Sequence, residues 1–271
     1  MPERKIRHSN GSAMGQPCNE ANAHSAVKEA LRLVCLRKGA STDEVTVRSA
    51  IVVGFVGGFV NHDDLRRPEV QFAAFLRDTY PSTVRVEVFA NRDARKALRW
   101  LLRQLDANGD GILAAAEKEQ AAIIIYGHSW GGSQAVTLAR QLDRLGIRVR
   151  LTIQVDTVPK LWQSGSRIPA NVDRAINFYQ SEGLLLHGRS TISAANPDHT
   201  SILGNFRMSY KGYSINCDNY PWLVRVLSKP HHEIENDPGV WNQVGLLIDS
   251  ELSNKVSASQ TSWESGALPT K

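Results

Sequence analysis

Residues 123–132 read Ile-Ile-Ile-Tyr-Gly-His-Ser-Trp-Gly-Gly, and this stretch decides how the chain folds. Its β-branched run predicts a buried strand, and the residues that follow it predict a helix. A serine on so tight a strand-to-helix turn adopts a strained backbone conformation, and glycines two residues to either side let the neighbouring backbone pass closely. The pattern Gly-x-Ser-x-Gly therefore predicts a nucleophilic serine, Ser129, presented at the end of a sheet.

Backbone N–H groups near Ser129 are candidates to stabilise a developing oxyanion. The serine lies at a helix N-terminus, where unpaired N–H groups and the helix dipole favour negative charge, so the N–H of Trp130 is one candidate donor. A second donor is expected from the loop after an early strand, Gly57-Gly58-Phe59, whose glycines permit close approach of backbone to a substrate. We predict that the N–H of Phe59 has this role.

Strand and helix signals alternate on both sides of this stretch. The alternation predicts an α/β fold with a mostly parallel central sheet and helices on both faces. The predicted strands are 50–56, 84–89, 122–126, 149–155, 175–179 and 202–210, and the predicted helices are 26–37, 68–79, 92–105, 134–145 and 241–252. Residues 25–255 are expected to form a single domain, flanked by disordered segments at 1–24 and 256–271.

A serine nucleophile needs a histidine and an acid, and on turns of this kind the acid follows the serine and precedes the histidine. Asp156 stands at the tip of the strand 149–155, where a carboxylate is well placed to orient an imidazole, and it is our preferred acid. Glu182, just past the next strand, and Asp198 are alternatives.

The histidine is expected in the loop before the final helix, where residues 229–237 read Lys-Pro-His-His-Glu-Ile-Glu-Asn-Asp. His187 and His199 come too early in the chain. Within the adjacent pair, His231 is slightly preferred over His232, because His-x-x-Ile followed by an Asp-Pro helix start is typical of such loops.

A second motif, at residues 106–117, matches the twelve-residue EF-hand loop. Oxygen ligands occupy positions one, three and five, glycine occupies position six for the sharp turn, an apolar residue occupies position eight, and glutamate occupies position twelve. The alanine at position nine offers no side-chain oxygen, so a water is expected there. The predicted calcium ligands are Asp106, Asn108, Asp110, Ile112 through its carbonyl, and Glu117.

The calcium ion is expected to be structural. The loop 106–117 ends just before the strand 122–126, whereas Ser129 lies beyond the other end of that strand. Five residues of strand separate the two by roughly 16 Å. We therefore expect calcium to brace the connection between helix and strand and to take no part in the chemistry.

These motifs resemble the α/β-hydrolase superfamily, and its lipase-like and esterase-like branches in particular. The similarity covers about 49–252, and an acid after the strand that follows the elbow resembles the pancreatic-type lipases, whose Asp-Pro corresponds to Asp156-Thr157. Two features depart from the resemblance: Trp130 replaces a small or aliphatic residue, and the EF-hand-like loop is no general feature of the superfamily. Both departures leave the substrate class open.

The favoured function is hydrolysis of carboxylic esters, of acyl or lipid type, through an acyl-enzyme on Ser129. The same three residues would also serve an acyltransferase or a thioesterase. An alternative from a different functional class is a non-catalytic calcium-binding protein on a hydrolase scaffold. No organic cofactor is expected.

Composition limits the partners. The net charge of +5 is spread along the chain without a basic stripe, which argues against nucleic acid, and no apolar run is long enough to cross a bilayer. No secretory signal is visible, and the three cysteines have neither disulfide nor metal-ligand spacing, which favours a reducing, cytoplasmic compartment. They are Cys18, Cys35 and Cys217.

Overall fold

The computed structural model describes residues 46–47, 49–80, 84–160, 165–183, 186–218, 220 and 222–254. The predicted helix 26–37, the segments 1–24 and 256–271 expected to be disordered, and two of the three cysteines lie outside these residues.

A sheet of six strands forms the centre of the fold, and every neighbouring pair in it is parallel. Its strands are β2 (Ala50–Val56), β3 (Val84–Ala90), β4 (Ala122–His128), β5 (Val149–Val155), β7 (Val172–Tyr179) and β9 (Ser201–Arg207). Their spatial order is β3-β2-β4-β5-β7-β9. Four short strands form two further pairs, β1 (Thr46–Val47) with β10 (Ser253–Asn254), antiparallel, and β6 (Arg167–Ile168) with β8 (Ser193–Ala194), parallel.

Helices follow each of the first three strands of the sheet in chain order, where they form the crossovers that parallel strands need, and two more helices follow its last strand. In the described residues they are α1 (Pro68–Thr79), α2 (Ala94–Leu105), α3 (Ala115–Glu119), α4 (Trp130–Arg144), α5 (Trp222–Glu235) and α6 (Pro238–Leu252). None of these helices has the length and apolar character that a bilayer span needs.

The sheet is covered on both faces, which explains why its central strands β2 and β4 are nearly continuous apolar runs. On one face, Phe55 and Ile125 belong to a core cluster with the apolar residues of α2 and α4. On the other face, the ring of Tyr126 packs against Phe72 of α1 and Trp241 of α6. The predicted α/β architecture, a mostly parallel sheet with helices on both faces, is confirmed.

Several predicted boundaries differ from those in the structure. The helix predicted at 134–145 begins at Trp130, directly after the serine, and the strand predicted at 175–179 begins at Val172. The last helix begins at Pro238 instead of residue 241. The strand predicted at 202–210 covers Ser201–Arg207.

The prediction that His231 lies in a loop was wrong, because the residue belongs to α5. A proline is unfavourable in the interior of a helix, and Pro230 lies within α5. The structure places a break two residues earlier, at Ser228, whose backbone is non-helical with φ −136° and ψ 29°. Pro230 then falls in the first turn after the break, where a missing N–H costs no hydrogen bond.

Candidate active site

Ser129 is the single residue between the end of β4 and the start of α4. Its backbone has φ 56° and ψ −124°, a left-handed conformation that costs a residue with a side chain on the order of 1–3 kcal/mol. Hydrogen bonds hold it there: its N–H donates to the carbonyl of Val155 at 2.9 Å, and its carbonyl accepts from the N–H of Gly132 at 3.1 Å. The serine therefore sits on a sharp strand-turn-helix, as nucleophiles of α/β-hydrolases do.

The glycines of this turn are required by close backbone approach. A Cβ atom on Gly127 would lie 2.4 Å from the carbonyl carbon of Gly131, and a Cβ on Gly131 would lie 2.2 Å from the carbonyl oxygen of Phe55. Both distances are far inside van der Waals contact. Side chains at either position would force the elbow open, which accounts for the Gly-x-Ser-x-Gly spacing.

The structure brings together Ser129, His231 and Asp156 in one hydrogen-bonded chain. The Ser129 Oγ atom lies 3.0 Å from Nε2 of His231, and Nδ1 of His231 lies 2.6 Å from Oδ2 of Asp156. All three residues are buried, with 6%, 3% and 0% of their surfaces exposed. The order of contacts, hydroxyl to imidazole to carboxylate, is the one that activates a serine.

Asp156 is also fixed by donors other than the histidine. Its backbone φ is 43°, and its carboxylate accepts hydrogen bonds from the N–H of Gln180 at 3.1 Å, from Nε2 of Gln180 at 2.9 Å and from the N–H of Gly188 at 2.8 Å. Burial alone would raise the pKa of Asp156, but the hydrogen bond and charge of His231 and the Gln180 donors outweigh it and lower the pKa. The ionised carboxylate can only accept, so Nδ1 of His231 carries a proton and a neutral ring leaves Nε2 free to accept from Ser129.

Gln180 and Gly188 were not found by sequence reasoning. The side-chain oxygen of Gln180 accepts from the N–H groups of Glu182 at 2.8 Å and Gly183 at 2.9 Å, which turns its amide nitrogen toward Asp156. Gly188 contributes only a backbone donor. The segment 180–188, which follows a strand, carries no local sequence signal for either role.

The alternative residues have other partners. Glu182 accepts hydrogen bonds from the hydroxyl of Ser209 and from the N–H of Tyr210, and Asp198 lies exposed in a turn. His232 is buried, but its ring lies over that of Tyr220, with 3.7 Å between ring centroids. The structure joins none of these three to Ser129.

A cavity of about 280 Å³ opens beside the serine. Its wall is mixed, with apolar side chains and loop glycines on one part and buried polar groups on another. The two candidate oxyanion donors belong to residues of this wall: Trp130 is the first residue of α4, and Phe59 follows Gly58, whose φ is 49°. The Phe59 ring is 87% exposed and meets the Trp130 ring edge-on at 5.2 Å.

The loop 106–117 has the turn and donor chemistry of a calcium loop. Gly109 and Gly111 have φ values of 73° and 79°, and the carboxylate of Asp106 accepts from their N–H groups at 2.8 and 3.0 Å. Oδ1 of Asp110 accepts from the N–H of Ile112 at 2.7 Å, and Asp110 Oδ2 also accepts from the Asn108 side chain at 2.9 Å.

The glutamate at position twelve ties the two ends of the loop. Glu117 accepts from the N–H of Ala107 at 2.9 Å and from that of Ala114 at 3.0 Å. All the side-chain oxygens of these residues accept hydrogen bonds within the loop, and they are of the hard type that calcium prefers, so the residues fit the ion chemically. The oxygens of Asp106, Asp110 and Glu117 do not all lie within 4.8 Å of one another. Among the described residues, only the side chains of Glu69, His128 and Glu235 bring their ligand atoms that close together.

Comparison with known proteins gives distant likenesses. No protein-family model matches the sequence, and no curated protein matches it. A cutinase-like protein from Cryptococcus sp. is similar at 10% identity and a TM-score of 0.40, with 78% of this chain and 99% of that chain covered. An esterase from the archaeon Pyrobaculum calidifontis is similar at 17% identity and a TM-score of 0.27, covering 49% of this chain and 50% of that chain.

The type II thioesterase YbtT of the yersiniabactin biosynthetic pathway is similar at 13% identity and a TM-score of 0.26, covering 41% of this chain and 43% of that chain. This chain therefore spans half or less of the length of the esterase and the thioesterase that it matches. At these scores the likenesses carry no argument about the activity of the chain.

Proposed function

We propose that the chain is a serine hydrolase that cleaves carboxylic esters through an acyl-enzyme on Ser129. The single observation that carries this proposal is the hydrogen-bonded chain from Ser129 through His231 to Asp156, on a serine whose backbone is held at φ 56°. Strained backbone persists only where surrounding structure enforces it, and it clusters at active sites. The contacts with Val155 and Gly132 supply that enforcement here.

The proposed reaction has two acyl transfers. Ser129 Oγ attacks the ester carbonyl while its proton passes to Nε2 of His231, and the same proton then leaves with the alcohol. Water next attacks the acyl-enzyme, gives one proton to Nε2, and releases the carboxylic acid as Ser129 recovers its proton. Asp156 keeps Nδ1 protonated and stabilises the imidazolium that forms in each half of the cycle.

The oxyanion of each tetrahedral intermediate would be stabilised by the N–H groups of Trp130 and Phe59. Trp130 N–H lies in the first turn of a helix, where N–H groups have no partner within the helix. The Phe59 loop lines the same cavity as the serine. Preorganised donors of this type contribute about 3–4 kcal/mol each to transition-state stabilisation.

The size of the cavity favours small acyl groups. At about 280 Å³ it lies at the lower end of ligand pockets, so we expect short-chain esters to be better substrates than long-chain lipids. Turnover of p-nitrophenyl acetate, butyrate and octanoate would order these preferences, with kcat/KM falling from butyrate to octanoate.

A fluorophosphonate probe tests the proposal directly, because it labels only an activated serine. Full-length protein should be labelled covalently, Ser129→Ala should not, and the exposed-site control Ser193→Ala should behave as wild type. Folded wild-type protein that neither reacts with the probe nor hydrolyses any of the esters would overturn the proposal. So would labelling that persists in Ser129→Ala.

We propose in addition that the loop 106–117 binds a structural calcium ion. Its support is the agreement of ligand types with the EF-hand pattern and the two left-handed glycines that shape the turn. Asp106, Asn108, Asp110, Glu117 and the carbonyl of Ile112 would hold the ion. The ion would fix the connection between α2 and β4, and no step of the reaction passes through it.

A further inference from the structure

A second group of polar residues is buried behind the serine. Glu69 lies in the first turn of α1, His128 is the last residue of β4, and Glu235 is the last residue of α5. They are 0%, 2% and 2% exposed, and one side-chain ligand atom from each lies within 4.8 Å of the other two. Nδ1 of His128 is 3.6 Å from Oε1 of Glu69 and 3.6 Å from Oε2 of Glu235.

Glu69 has no partner adequate for a buried carboxylate. Neither of its oxygens makes a hydrogen bond of good geometry with any described residue, although its own N–H and that of Gly57 point toward it. A fully buried carboxyl whose oxygens lack hydrogen-bond partners is unfavourable for folding, so a bound ligand is the expected explanation.

His128 offers an imidazole nitrogen to both carboxylates, and imidazole is a common metal ligand. Its Nδ1 atom is the one that faces Glu69 and Glu235, and its Nε2 atom has no hydrogen-bond partner among the described residues. The ring stacks beside that of His231, with 4.6 Å between centroids.

The carboxylate of Glu235 is oriented by three neighbours, two of which contact Oε2, the oxygen that also faces Nδ1 of His128. Nη1 of Arg67 lies 3.7 Å from Oε1, and the hydroxyl of Tyr220 donates to Oε2. Nδ1 of His232 is 3.6 Å from Oε2. A carboxylate held by a guanidinium and a phenol while one oxygen faces an imidazole is typical of the outer contacts that orient metal ligands.

We propose that Glu69, His128 and Glu235 bind a divalent transition-metal ion of the zinc type. Two ligand atoms on a tetrahedral zinc ion, each about 2.1 Å from the metal, lie about 3.4 Å apart, close to the 3.6 Å that separates His128 from each carboxylate. One imidazole and two carboxylates suit zinc better than calcium, which prefers oxygen ligands alone. The cavity wall includes His128 and Glu235, so water from the cavity could complete the site.

The ion would hold the proposed catalytic residues in position and would not contact the substrate. Its ligands come from three separate elements, and two of them adjoin the proposed catalytic residues: His128 precedes Ser129, and Glu235 follows His231 by one helical turn. Binding would therefore fasten α5 to the elbow and hold the base beside the nucleophile. This consequence rests on the proposed function, whereas the metal site itself does not.

Metal content tests the site without reference to activity. Full-length protein lacking a polyhistidine tag would be stripped with a chelator, then titrated with zinc chloride in excess calcium chloride so that the loop 106–117 does not compete. We expect about one zinc ion per wild-type chain by mass spectrometry of the eluted protein, and a rise in Tm on zinc addition. X-ray absorption should show one nitrogen and two oxygen ligands of protein origin at about 2.0–2.2 Å.

Matched variants locate the ion. Glu69→Gln and Glu235→Gln should each weaken zinc binding at least tenfold and abolish the rise in Tm, since each removes a ligand. The exposed-site controls Glu119→Gln and His199→Asn should bind as wild type. Near-UV circular dichroism checks that each variant is folded, and the wild-type titration depends on no variant at all.

Two results would overturn the site: wild-type protein that takes up no zinc, or equal zinc binding by wild type and Glu69→Gln. Either result would mean that Glu69 is not a zinc ligand. Fluorophosphonate labelling of the same samples reports separately on the hydrolase, so a failure of one proposal is distinguishable from a failure of the other.

Discussion

Nδ1 of His231 lies 2.6 Å from Oδ2 of Asp156, although 75 residues separate them in the chain. The carboxylate does not depend on this contact for its position, because three hydrogen bonds from Gln180 and Gly188 hold it and its backbone is left-handed. Asp156 therefore keeps its position without the histidine, whereas the orientation of the imidazole depends on Asp156. For this reason Asp156 is the most informative residue to change.

Asp156→Asn should lower kcat for p-nitrophenyl butyrate by about 10³–10⁴-fold while KM changes little. Asparagine keeps the shape of the side chain but offers its N–H to Nδ1, which stabilises the wrong tautomer and removes the charge that offsets the imidazolium. Steady-state kinetics at neutral pH would measure the loss.

Glu182→Gln is the matched control for that experiment. Glu182 is the rival acid by sequence, but its oxygens accept from Ser209 and the backbone of Tyr210. We expect its kcat to stay within about threefold of wild type, the range of ordinary substitutions away from the site. A loss in Glu182→Gln as large as in Asp156→Asn would contradict the assignment of the acid.

The contact between Asp156 and His231 also predicts how the stability of the protein depends on pH. The folded pKa of Asp156 lies below its ordinary value of about 3.8, so its ionised form stabilises the fold above that value, and the contribution is lost as pH falls through the folded pKa. The free energy of unfolding of wild type should exceed that of Asp156→Asn near neutral pH, and the difference should shrink as the solution becomes acidic. Denaturant titrations from about pH 7 to pH 3 would follow it. A difference that stays constant across this range would show that the carboxylate contributes no charge-dependent stability.

Sequence could predict those parts of the site that have a local signature. The elbow is one, because the β-branched run, the serine and its flanking glycines are contiguous, and Asp156 is another, because it ends a strand next to the elbow. The predicted loop around His231 was wrong, since the helix breaks at Ser228 and then continues through His231, and the local sequence carries no signal for that continuation.

The remaining parts arise from contacts between distant segments. Gln180 and Gly188 hold the acid through an amide and a backbone N–H, which any residue in a polar stretch could supply. Glu69 and Glu235 converge on His128 from separate helices, and each alone reads as a charged residue near a helix end. Only the packing of those helices on the sheet shows that neither carboxylate reaches solvent.

Removal of the calcium-loop glutamate should change stability and leave catalysis unchanged. Glu117→Gln should lose most of the difference in Tm between calcium and chelator that wild type shows, because the bidentate ligand at position twelve is gone. Its kcat in calcium, measured well below Tm, should match wild type. Differential scanning fluorimetry and ester turnover on the same samples would give both values.

Glu119→Gln, an exposed neighbour on the same short helix, serves as the control and should respond to calcium as wild type does. If Glu117→Gln abolished turnover while its Tm in calcium stayed unchanged, a purely structural ion would be the wrong interpretation.

The last prediction concerns the packing that supports the elbow strand. Gly54 of β2 is paired in register with Tyr126 of β4, and a Cβ on Gly54 would lie 2.5 Å from Cζ and 2.6 Å from the hydroxyl oxygen of that ring. The ring cannot move aside easily, because Phe72 and Trp241 flank it and its hydroxyl donates to the carbonyl of Glu69 at 2.8 Å. Gly54→Ala should therefore destabilise the fold by about 1–3 kcal/mol in denaturant titrations.

A glycine at the edge of the same aromatic cluster gives the contrast. A Cβ on Gly245 of α6 would lie 3.6 Å from the Phe72 ring, an ordinary contact, so Gly245→Ala should be neutral or stabilise the fold by up to about 1 kcal/mol. Introducing Tyr126→Leu first should remove most of the penalty of Gly54→Ala, because the shorter side chain leaves room for the methyl group. If the penalty were the same in both backgrounds, its cause would lie in the strand backbone and not in overlap with the ring.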